Sequence, residues 1–563
     1  TRGGAGRWFK VSPVAGLPAT ARGGVRALMR ARLLPTASVL LAGLAQAASI
    51  ALPGSGQPLW WLQILSLSVL VWQLNGCAGH LASWSSSTWS ESGRRPAWQS
   101  GWRGAAWLGW VYAWAWLSGS FWWLFISMHT YGGLPAALAV LAVLALAGAL
   151  SLYYAAACAV FFKLFSGFPS VRWTWAAIYF ASAWTLAELA RGRWFTGFPW
   201  GAGGYAHTAG PLANYAPWLG VYGVGAVAAW AAFMLPGLAS ISQGRLRRAA
   251  ALVAVALILP LGARWAMPSF THSSGALDVA LLQGNIPQDE KFQPGTGVAD
   301  ALRWYGGALR DSRALLTVAP ETALPLLPRQ LPPGYWDALQ ERYTRNDRAA
   351  LIGIPLGNAR DGYTNAVVGL KPGQSEVYRY DKHHLVPFGE FVPPFFQWFL
   401  DMMNIPLGEF RRGALAQPSF DWKGQRLAPN ICYEDLFGEE LGARFADAGR
   451  APTLLVNVSN IAWFGDSVAI DQHLQISRMR ALEFERPMLR ATNTGPTVII
   501  DHQGEVTARL PRLTLGVLEG VVQGRSGNTP FATWVARLGL WPFWGLAALV
   551  LTFAAWQNRR QHG

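Results

Sequence analysis

A chain of 563 residues that is 52% hydrophobic and only 13% charged departs from a soluble domain, in which about 25% of residues carry charge. The formal net charge of +16 would suit nucleic acid, but much of it lies in an arginine-rich arm over residues 1–32, in short loops between apolar segments and at Arg559-Arg560. Basic loops facing anionic lipid have that distribution, so a membrane partner is expected and nucleic acid is not.

The cysteines, Cys77, Cys158 and Cys432, show no Cys-x-x-Cys spacing and no disulfide framework. Cys77 and Cys158 fall in or beside apolar segments, where a small buried hydrophobe is the expected role. The histidines are scattered apart from His383-His384, so neither a metal site nor a cofactor is expected. No cleavable signal peptide is apparent, and the start without Met suggests a trimmed terminus.

Not one Asp, Glu, Lys or Arg occurs from Leu33 to Ser90, or from Trp107 to Phe162. A bilayer enforces such stretches, because an ion at its centre costs roughly 2.5–3.5 kcal/mol on insertion scales. A helix needs about 20 apolar residues to cross. Spans are expected near 33–52, 58–76, 104–126, 134–162, 174–190, 212–240 and 249–267, a seven-helix membrane domain over 33–267, and an eighth near 534–556.

Lys and Arg set the orientation. Arg2, Arg7, Lys10, Arg22, Arg26, Arg30 and Arg32 place the arm in the cytoplasm. Arg94, Arg95 and Arg103, then Lys163 and Arg172, then Arg245, Arg247 and Arg248 occupy every second loop, whereas the first and third loops hold no basic residue. The positive-inside bias then puts residues 268–533 on the outer face and returns the tail, 557–563, to the cytoplasm. Arg191 and Arg193 break the alternation beside Phe198-Pro-Trp200. They either bind a lipid phosphate or snorkel at the interface.

From about 276 to 525 the pattern changes to an α/β domain. Short β-rich runs recur at Leu277–Leu282, Leu315–Ala319, Leu351–Ile354, Asn365–Leu370, Val377–Tyr380, Thr453–Val458 and Thr497–Ile500. Helical patterns cover Asp300–Ala314 and Ala469–Glu485, and Asp501-His-Gln-Gly504 reads as a hairpin turn.

Three reactive side chains each follow an apolar strand: Glu321 in Val318-Ala-Pro-Glu-Thr-Ala-Leu-Pro325, Lys382 in Tyr380-Asp-Lys-His-His-Leu, and Cys432 in Leu427-Ala-Pro-Asn-Ile-Cys-Tyr-Glu-Asp435. Functional groups gather at the carboxyl ends of strands in open α/β sheets. A thiol nucleophile at Cys432, a carboxylate base at Glu321 and an ammonium at Lys382 that meets a forming oxyanion make a workable set. Adjacent His383 and His384 point to opposite faces on extended backbone, so at most one could serve as a second base. The apolar run from Pro394 to Ile405, with Phe395, Phe396, Trp398, Met402 and Met403, either packs in a core or forms a mobile lid dipping into the outer leaflet.

The order Glu, Lys, Cys, with Pro-Glu-Thr, Lys-x-x-Leu-Val-Pro-Phe-Gly-Glu and Ile-Cys-Tyr-Glu, resembles the carbon–nitrogen hydrolase (nitrilase) superfamily. Lys382-His-His-Leu-Val-Pro-Phe-Gly-Glu-Phe-Val-Pro393, Gln283-Gly-Asn-Ile-Pro287, Ala462-Trp-Phe-Gly465, Arg478-Met-Arg-Ala-Leu-Glu483, Ser127-Met-His-Thr130 and Thr196-Gly-Phe-Pro-Trp200 are similar to its membrane branch, the apolipoprotein N-acyltransferases. The resemblance implies a nitrilase-like αββα sandwich on a membrane helix bundle, with Glu321 as base, Lys382 as oxyanion stabiliser and Cys432 as nucleophile. Glu390, Tyr433 and Glu434 match supporting residues, and Asn365 resembles a site asparagine, although a turn or strand-edge role fits it equally.

The implied reaction is ping-pong. An acyl chain leaves the sn-1 position of a phospholipid such as phosphatidylethanolamine, forms a thioester on Cys432, and passes to the α-amine of a diacylglyceryl-cysteine at the start of an apolipoprotein. The resemblance also implies the bacterial inner membrane with a periplasmic catalytic domain. One departure stands at Ser459-Asn-Ile-Ala-Trp-Phe-Gly465, where Ile461 replaces a residue that is often acidic in the family. Two rivals remain: a membrane-anchored amidase or nitrilase acting on a small amide, and a transporter or receptor whose outer domain binds ligand. The number of spans argues against the first, since one would tether such an enzyme. Against the second, Glu188 is the single acidic residue clearly associated with a span, whereas transporters usually place several ionisable groups there.

Overall fold

The computed structural model describes residues 19–77, 101–165, 173–238, 250–256, 269–374, 376–394, 396–400, 402 and 409–562. The expectations for residues 1–18, for the basic loop residues Arg94, Arg95, Arg172, Arg245, Arg247 and Arg248, for 257–267, and for Phe395 and Met403 lie outside the described residues.

The amino-terminal half is helical: α1 (Ala19–Ile50), α2 (Trp60–Cys77), α3 (Gly101–Phe121), α4 (Ala136–Phe165), α5 (Trp173–Arg193) and α6 (Ala216–Leu238). Residues 250–256 are also helical. Rings fill the centre of the bundle, where Trp116 of α3 stacks on Trp184 of α5 at 6.2 Å and meets Tyr154 of α4 edge-on at 5.1 Å. Polar groups inside the bundle form hydrogen bonds that offset their burial: Ser66 Oγ donates to Ala42 O at 2.6 Å, and Tyr112 Oη donates to Gln46 Oε1 at 3.1 Å.

Eight crossings are expected. Among the described residues, two helices are long and apolar enough by length and composition, Ala136–Phe165 and Pro211–Pro236. The pair Pro530–Leu538 and Trp541–Arg560, bent by 86°, makes a third if it is one span. The shortfall has a compositional cause. Helix α2 carries Gln63, Gln73 and Asn75, α3 is rich in Trp and Gly, and α5 carries Glu188, Arg191 and Arg193, which contribute less apolarity than Leu or Val.

The carboxyl-terminal half is built on two six-stranded sheets, ordered β12-β1-β2-β3-β4-β5 and β11-β10-β9-β8-β7-β6. In the first, β1 (His272–Gln283), β2 (Leu316–Val318) and β3 (Ala349–Asn358) run parallel; β4 (Gly362–Leu370) and β5 (Tyr378–Asp381) continue antiparallel. In the second, β7 (Gln425–Ile431), β8 (Leu454–Ser459) and β9 (Met488–Thr492) are parallel, in register through Asn430, Asn457 and Arg490. Antiparallel β6 (Phe420–Trp422), β10 (Val498–Ile500) and β11 (Val506–Arg509) flank them. Strand β12 (Gly516–Ser526) pairs antiparallel with β1, from His272 opposite Ser526 to Gln283 opposite Gly516.

Val279, Leu281, Leu316 and Val318 from one sheet pack against Leu427, Val456, Val458 and Leu489 from the other. Helices α7 (Gly297–Asp311) and α8 (Tyr335–Arg345) cover the outer face of the first sheet, while α9 (Val468–Phe484) and α10 (Pro530–Leu538) cover the second. The result is an αββα sandwich. Buried apolar side chains on both sheet faces explain why the parallel strands read as near-continuous hydrophobic runs. Helix α11 (Trp541–His562) then follows α10.

The two halves share one core, in which Tyr433, Phe437, Ile476 and Met479 join the membrane-half cluster. The indoles of Trp123 and Trp200 both donate to Gln472 Oε1 on α9, at 3.1 and 2.8 Å, and Ser127 Oγ donates to Trp463 O at 2.7 Å.

Candidate active site

The ends of two parallel strands, β2 and β7, and of antiparallel β5 deliver the reactive groups. Strand β2 stops at Val318 because Pro320 offers no N–H to continue the ladder, and Glu321 sits in the following turn, where Thr322 adopts φ 45°. Gly353 on the neighbouring strand is obligatory there, since a Cβ at this position would overlap Pro320 O and the Glu321 backbone. Lys382 directly follows β5, its N–H donating to Asn365 O at 2.8 Å. Cys432 follows β7 with φ 53°. This left-handed turn is strained for a residue with a side chain, and it throws the half-buried thiol off the strand end.

A buried hydrogen-bonded cluster joins Glu321 and Lys382, and Cys432 feels the charges of both. Lys382 Nζ lies 2.9 Å from Glu390 Oε1 and 3.5 Å from Glu321 Oε1. Asn365 Nδ2 donates to both carboxylates, at 2.7 Å to Glu321 Oε1 and 2.8 Å to Glu390 Oε1. Glu321 Oε2 accepts the Asn460 N–H at 2.8 Å, and Glu390 Oε2 accepts the Val386 N–H at 2.8 Å. Asn365, on β4, thus bridges the two carboxylates through its side chain.

The electrostatics follow from these contacts. Burial pushes the Glu321 carboxyl up, but Lys382, the Asn365 amide, Lys291 and the Asn460 N–H outweigh it and hold it below the usual range. Burial opposes the Lys382 charge too, yet Glu390 and Glu321 overcome it and keep the ammonium well above its ordinary value. Burial, reinforced by the Glu321 charge and opposed by Lys382, pushes the Cys432 thiol up to about 12. A thiol held neutral beside an ionised carboxylate can pass its proton to that carboxylate as it attacks, so nucleophile and base act together.

Glu434 ties the strand ends together. Its carboxylate accepts Tyr380 Oη at 2.9 Å, the His383 N–H at 2.7 Å, the His384 N–H at 3.2 Å and the Ile431 N–H at 2.6 Å. It therefore locks the backbone after Lys382 to the backbone before Cys432. Tyr433 points the other way: its Oη donates to Gly197 O of the membrane half at 2.9 Å, and its ring stacks on Phe198. Of the two histidines, His383 Nδ1 lies 2.8 Å from Gly413 O and His384 Nδ1 lies 3.0 Å from Glu440 Oε1.

The two arginines in the last turn of α5 part company. Arg193 is exposed, as a lipid contact requires. Arg191 is buried; its Nε donates to Tyr154 Oη at 2.8 Å and its Nη1 to Trp200 O at 2.8 Å and Phe198 O at 2.5 Å. Arg191 braces the loop that receives Tyr433, and this corrects its expected place as a headgroup ligand. In the apolar run, Phe396, Trp398 and Met402 are exposed, which excludes core packing for them. The loop before them is anchored, with Phe388 and Val392 packed on Leu134 and Ala139 of the membrane half. Ile461 is fully buried and apolar; at the adjacent position the backbone N–H of Asn460 reaches Glu321.

Several groups escaped the sequence reading. Lys291 lies in a loop, outside any strand-end signal, and Asn460 directly follows β8 but reaches Glu321 through its backbone N–H, which no side-chain motif displays. Beneath the Cys432 turn, His473 Nε2 lies 2.8 Å from Asp435 Oδ1 and 3.2 Å from Cys432 O, while Arg490 Nη2 lies 3.0 Å from its Nδ1. Ser477 Oγ donates to Asp435 Oδ2 at 2.6 Å. The one available signal was His473 and Ser477 at i, i+4 on one helix face. Among the described residues no cluster of His, Cys, Asp and Glu could hold a metal ion.

Residues 278–530 match the family model for carbon-nitrogen hydrolases, and residues 42–234 match that of the apolipoprotein N-acyltransferase N-terminal domain. An apolipoprotein N-acyltransferase of Verminephrobacter eiseniae is 54% identical over 89% of this chain and 92% of its own length. That of Ralstonia nicotianae is 48% identical over 78% of this chain and 82% of its own. Among solved structures, a carbon-nitrogen hydrolase of Helicobacter pylori aligns with 49% of this chain and 96% of its own, at 17% identity and a TM-score of 0.32. With a helical half and an αββα half each matching its counterpart, and identity of this order across nearly the whole length, the chain belongs to the apolipoprotein N-acyltransferase family.

Proposed function

We propose that this enzyme transfers a fatty acyl chain from the sn-1 position of a phospholipid, through a thioester on Cys432, to the α-amine of a diacylglyceryl-cysteine at an apolipoprotein N-terminus. In the first half-reaction Glu321 takes the thiol proton while Cys432 Sγ attacks the ester carbonyl. Lys382 and the Tyr433 backbone N–H meet the developing oxyanion. The intermediate collapses, the lysophospholipid oxygen leaves with the proton from Glu321, and the thioester remains. In the second, the amine attacks the thioester carbonyl, Glu321 receives the amine proton, and the departing thiolate recovers it.

The observation that carries this reading is the bond from Tyr433, next to Cys432, to Gly197 of the helical half. A hydrolase of small soluble amides has no use for a nucleophile seated on membrane helices. Eight crossings of the bacterial inner membrane, with cytoplasmic termini and residues 276–525 on the periplasmic side, would bring both lipid substrates to the site laterally. Exposed Phe396, Trp398 and Met402 fit a lid at the outer leaflet, and Arg193 a headgroup contact.

The test is intact-protein mass spectrometry of detergent-purified wild type and Cys432→Ala after incubation with phosphatidylethanolamine. The expected result is a hydroxylamine-labile gain of one acyl group on wild type alone, discharged by a diacylated lipopeptide. A wild type that gains nothing while it hydrolyses small amides would overturn the transfer reading in favour of an amidase.

A further inference from the structure

Without a further cation, the buried cluster described above carries two carboxylates, Glu321 and Glu390, against one ammonium, Lys382. That excess of one negative charge would oppose every step that pushes electrons onto Cys432, and charge uncompensated in a buried site is costly. The missing charge comes from the loop between β1 and α7. Lys291 is 2% exposed, and its Nζ donates to the backbone carbonyl of Glu321 at 3.1 Å. Its charge is felt by both Glu321 and Cys432. The same loop supplies Gln288, whose Oε1 accepts from Asn460 Nδ2 at 2.8 Å; the Asn460 N–H in turn holds Glu321 Oε2. Glu321 is therefore gripped from this loop twice, directly through its backbone and indirectly through its side chain.

We propose that Lys291 is a positioning residue of the acyl-transfer site: it fixes the Glu321 turn and supplies the second positive charge that balances the Glu321–Glu390–Lys382 cluster. Lys382 is thereby released from serving both carboxylates and can follow the oxyanion as it forms. The inference rests on the proposed acyl-thioester mechanism only for its first readout. Burial, opposed by Glu321 and Cys432, draws the Lys291 ammonium down to about 8. Its charge is thus present at neutral pH and lost as pH rises through that value.

Full-length wild type, Lys291→Met and Lys291→Arg would be compared in detergent by two readouts. The first is the single-turnover rate of acyl-thioester formation from phosphatidylethanolamine, from neutral to alkaline pH. The second is the rate of iodoacetamide alkylation of Cys432, with Cys432→Ala as the blank; it requires no lipid substrate. Loss of the charge in Lys291→Met should slow both by about 100-fold at neutral pH. Lys291→Arg should restore both to within about 10-fold of wild type. Acylation by wild type should fall above pH about 8 while that of Lys291→Arg holds. Alkylation at the wild-type rate in Lys291→Met would overturn the proposal, as would equal defects and equal pH profiles in the two variants. Absence of thioester in wild type, with the alkylation difference intact, would instead remove the phospholipid-donor reading and leave Lys291 in its place.

Discussion

Glu390 is the residue whose importance is easiest to underrate, since it makes no bond to the nucleophile. Its Oε1 holds Lys382 Nζ at 2.9 Å and Asn365 Nδ2 at 2.8 Å, so it aims both groups at Glu321. Glu390→Gln should slow thioester formation by about 100-fold, with wild-type Tm in detergent, as measured by single-turnover mass spectrometry. The acid side of the pH profile belongs to Glu321. A carboxyl held below its usual range stays ionised until pH falls through that depressed value, so acylation should persist below the ordinary glutamate pKa of about 4.3. An acid limb at or above that value would contradict the pairing. The triad was legible because each member ends an apolar strand and a strand end is visible in one sequence. Lys291 was not, because a loop residue becomes a neighbour of Glu321 only once the chain has folded, nor was Asn460, which follows β8 but acts through a backbone N–H that no residue type reveals.

At the scale of elements, the Cys432 turn is held from below and from the side. His473 and Asn457 grip Cys432 O at 3.2 Å each, which keeps a strained backbone in place. Tyr433 anchors the turn to the membrane half through Gly197. Tyr433→Phe should leave iodoacetamide alkylation of Cys432 near the wild-type rate, yet lower acyl transfer by about 10-fold, because the thiol keeps its base while the lipid loses its seat. Equal losses in both assays would place Tyr433 in thiol activation instead. The helices expected over Asp300–Ala314 and Ala469–Glu485 form over Gly297–Asp311, which has an apolar face, and Val468–Phe484, which Ser467 caps. Strands β9 and β12 escaped notice. Met488–Thr492 carries Arg490, which reads as exposed but is buried against Asp435. Gly516–Ser526 is an edge strand with several exposed positions and three glycines, so alternation is weak.

Across the whole molecule, the halves are joined by a shared apolar core and by polar bonds that cross it. Gln472 Oε1 accepts both Trp123 and Trp200 indoles. Gln472→Leu orphans two buried N–H groups at a cost of about 1–3 kcal/mol each, so it should lower Tm in detergent while leaving the catalytic cluster intact. The proposed orientation is open to direct labelling. Gly295 faces open space, so Gly295→Cys should react with a membrane-impermeant maleimide once the outer membrane is permeabilised, whereas Asn558→Cys should react only after lysis. The reverse pattern would invert the topology. Charge-free stretches made a membrane half plain from sequence, but the number of crossings was not, because Trp-, Gly- and Gln-bearing helices pack inside the bundle and need not be uniformly apolar.

The pairing of His272 with Ser526 has an evolutionary consequence. Paired strands lie about 5 Å apart, so the sandwich leaves and rejoins the rest of the chain at neighbouring points on one sheet edge. A free-standing hydrolase whose ends meet in this way can be spliced into a loop of another protein without prising that protein open. The arrangement is what the insertion of one folded unit into an existing loop would leave behind.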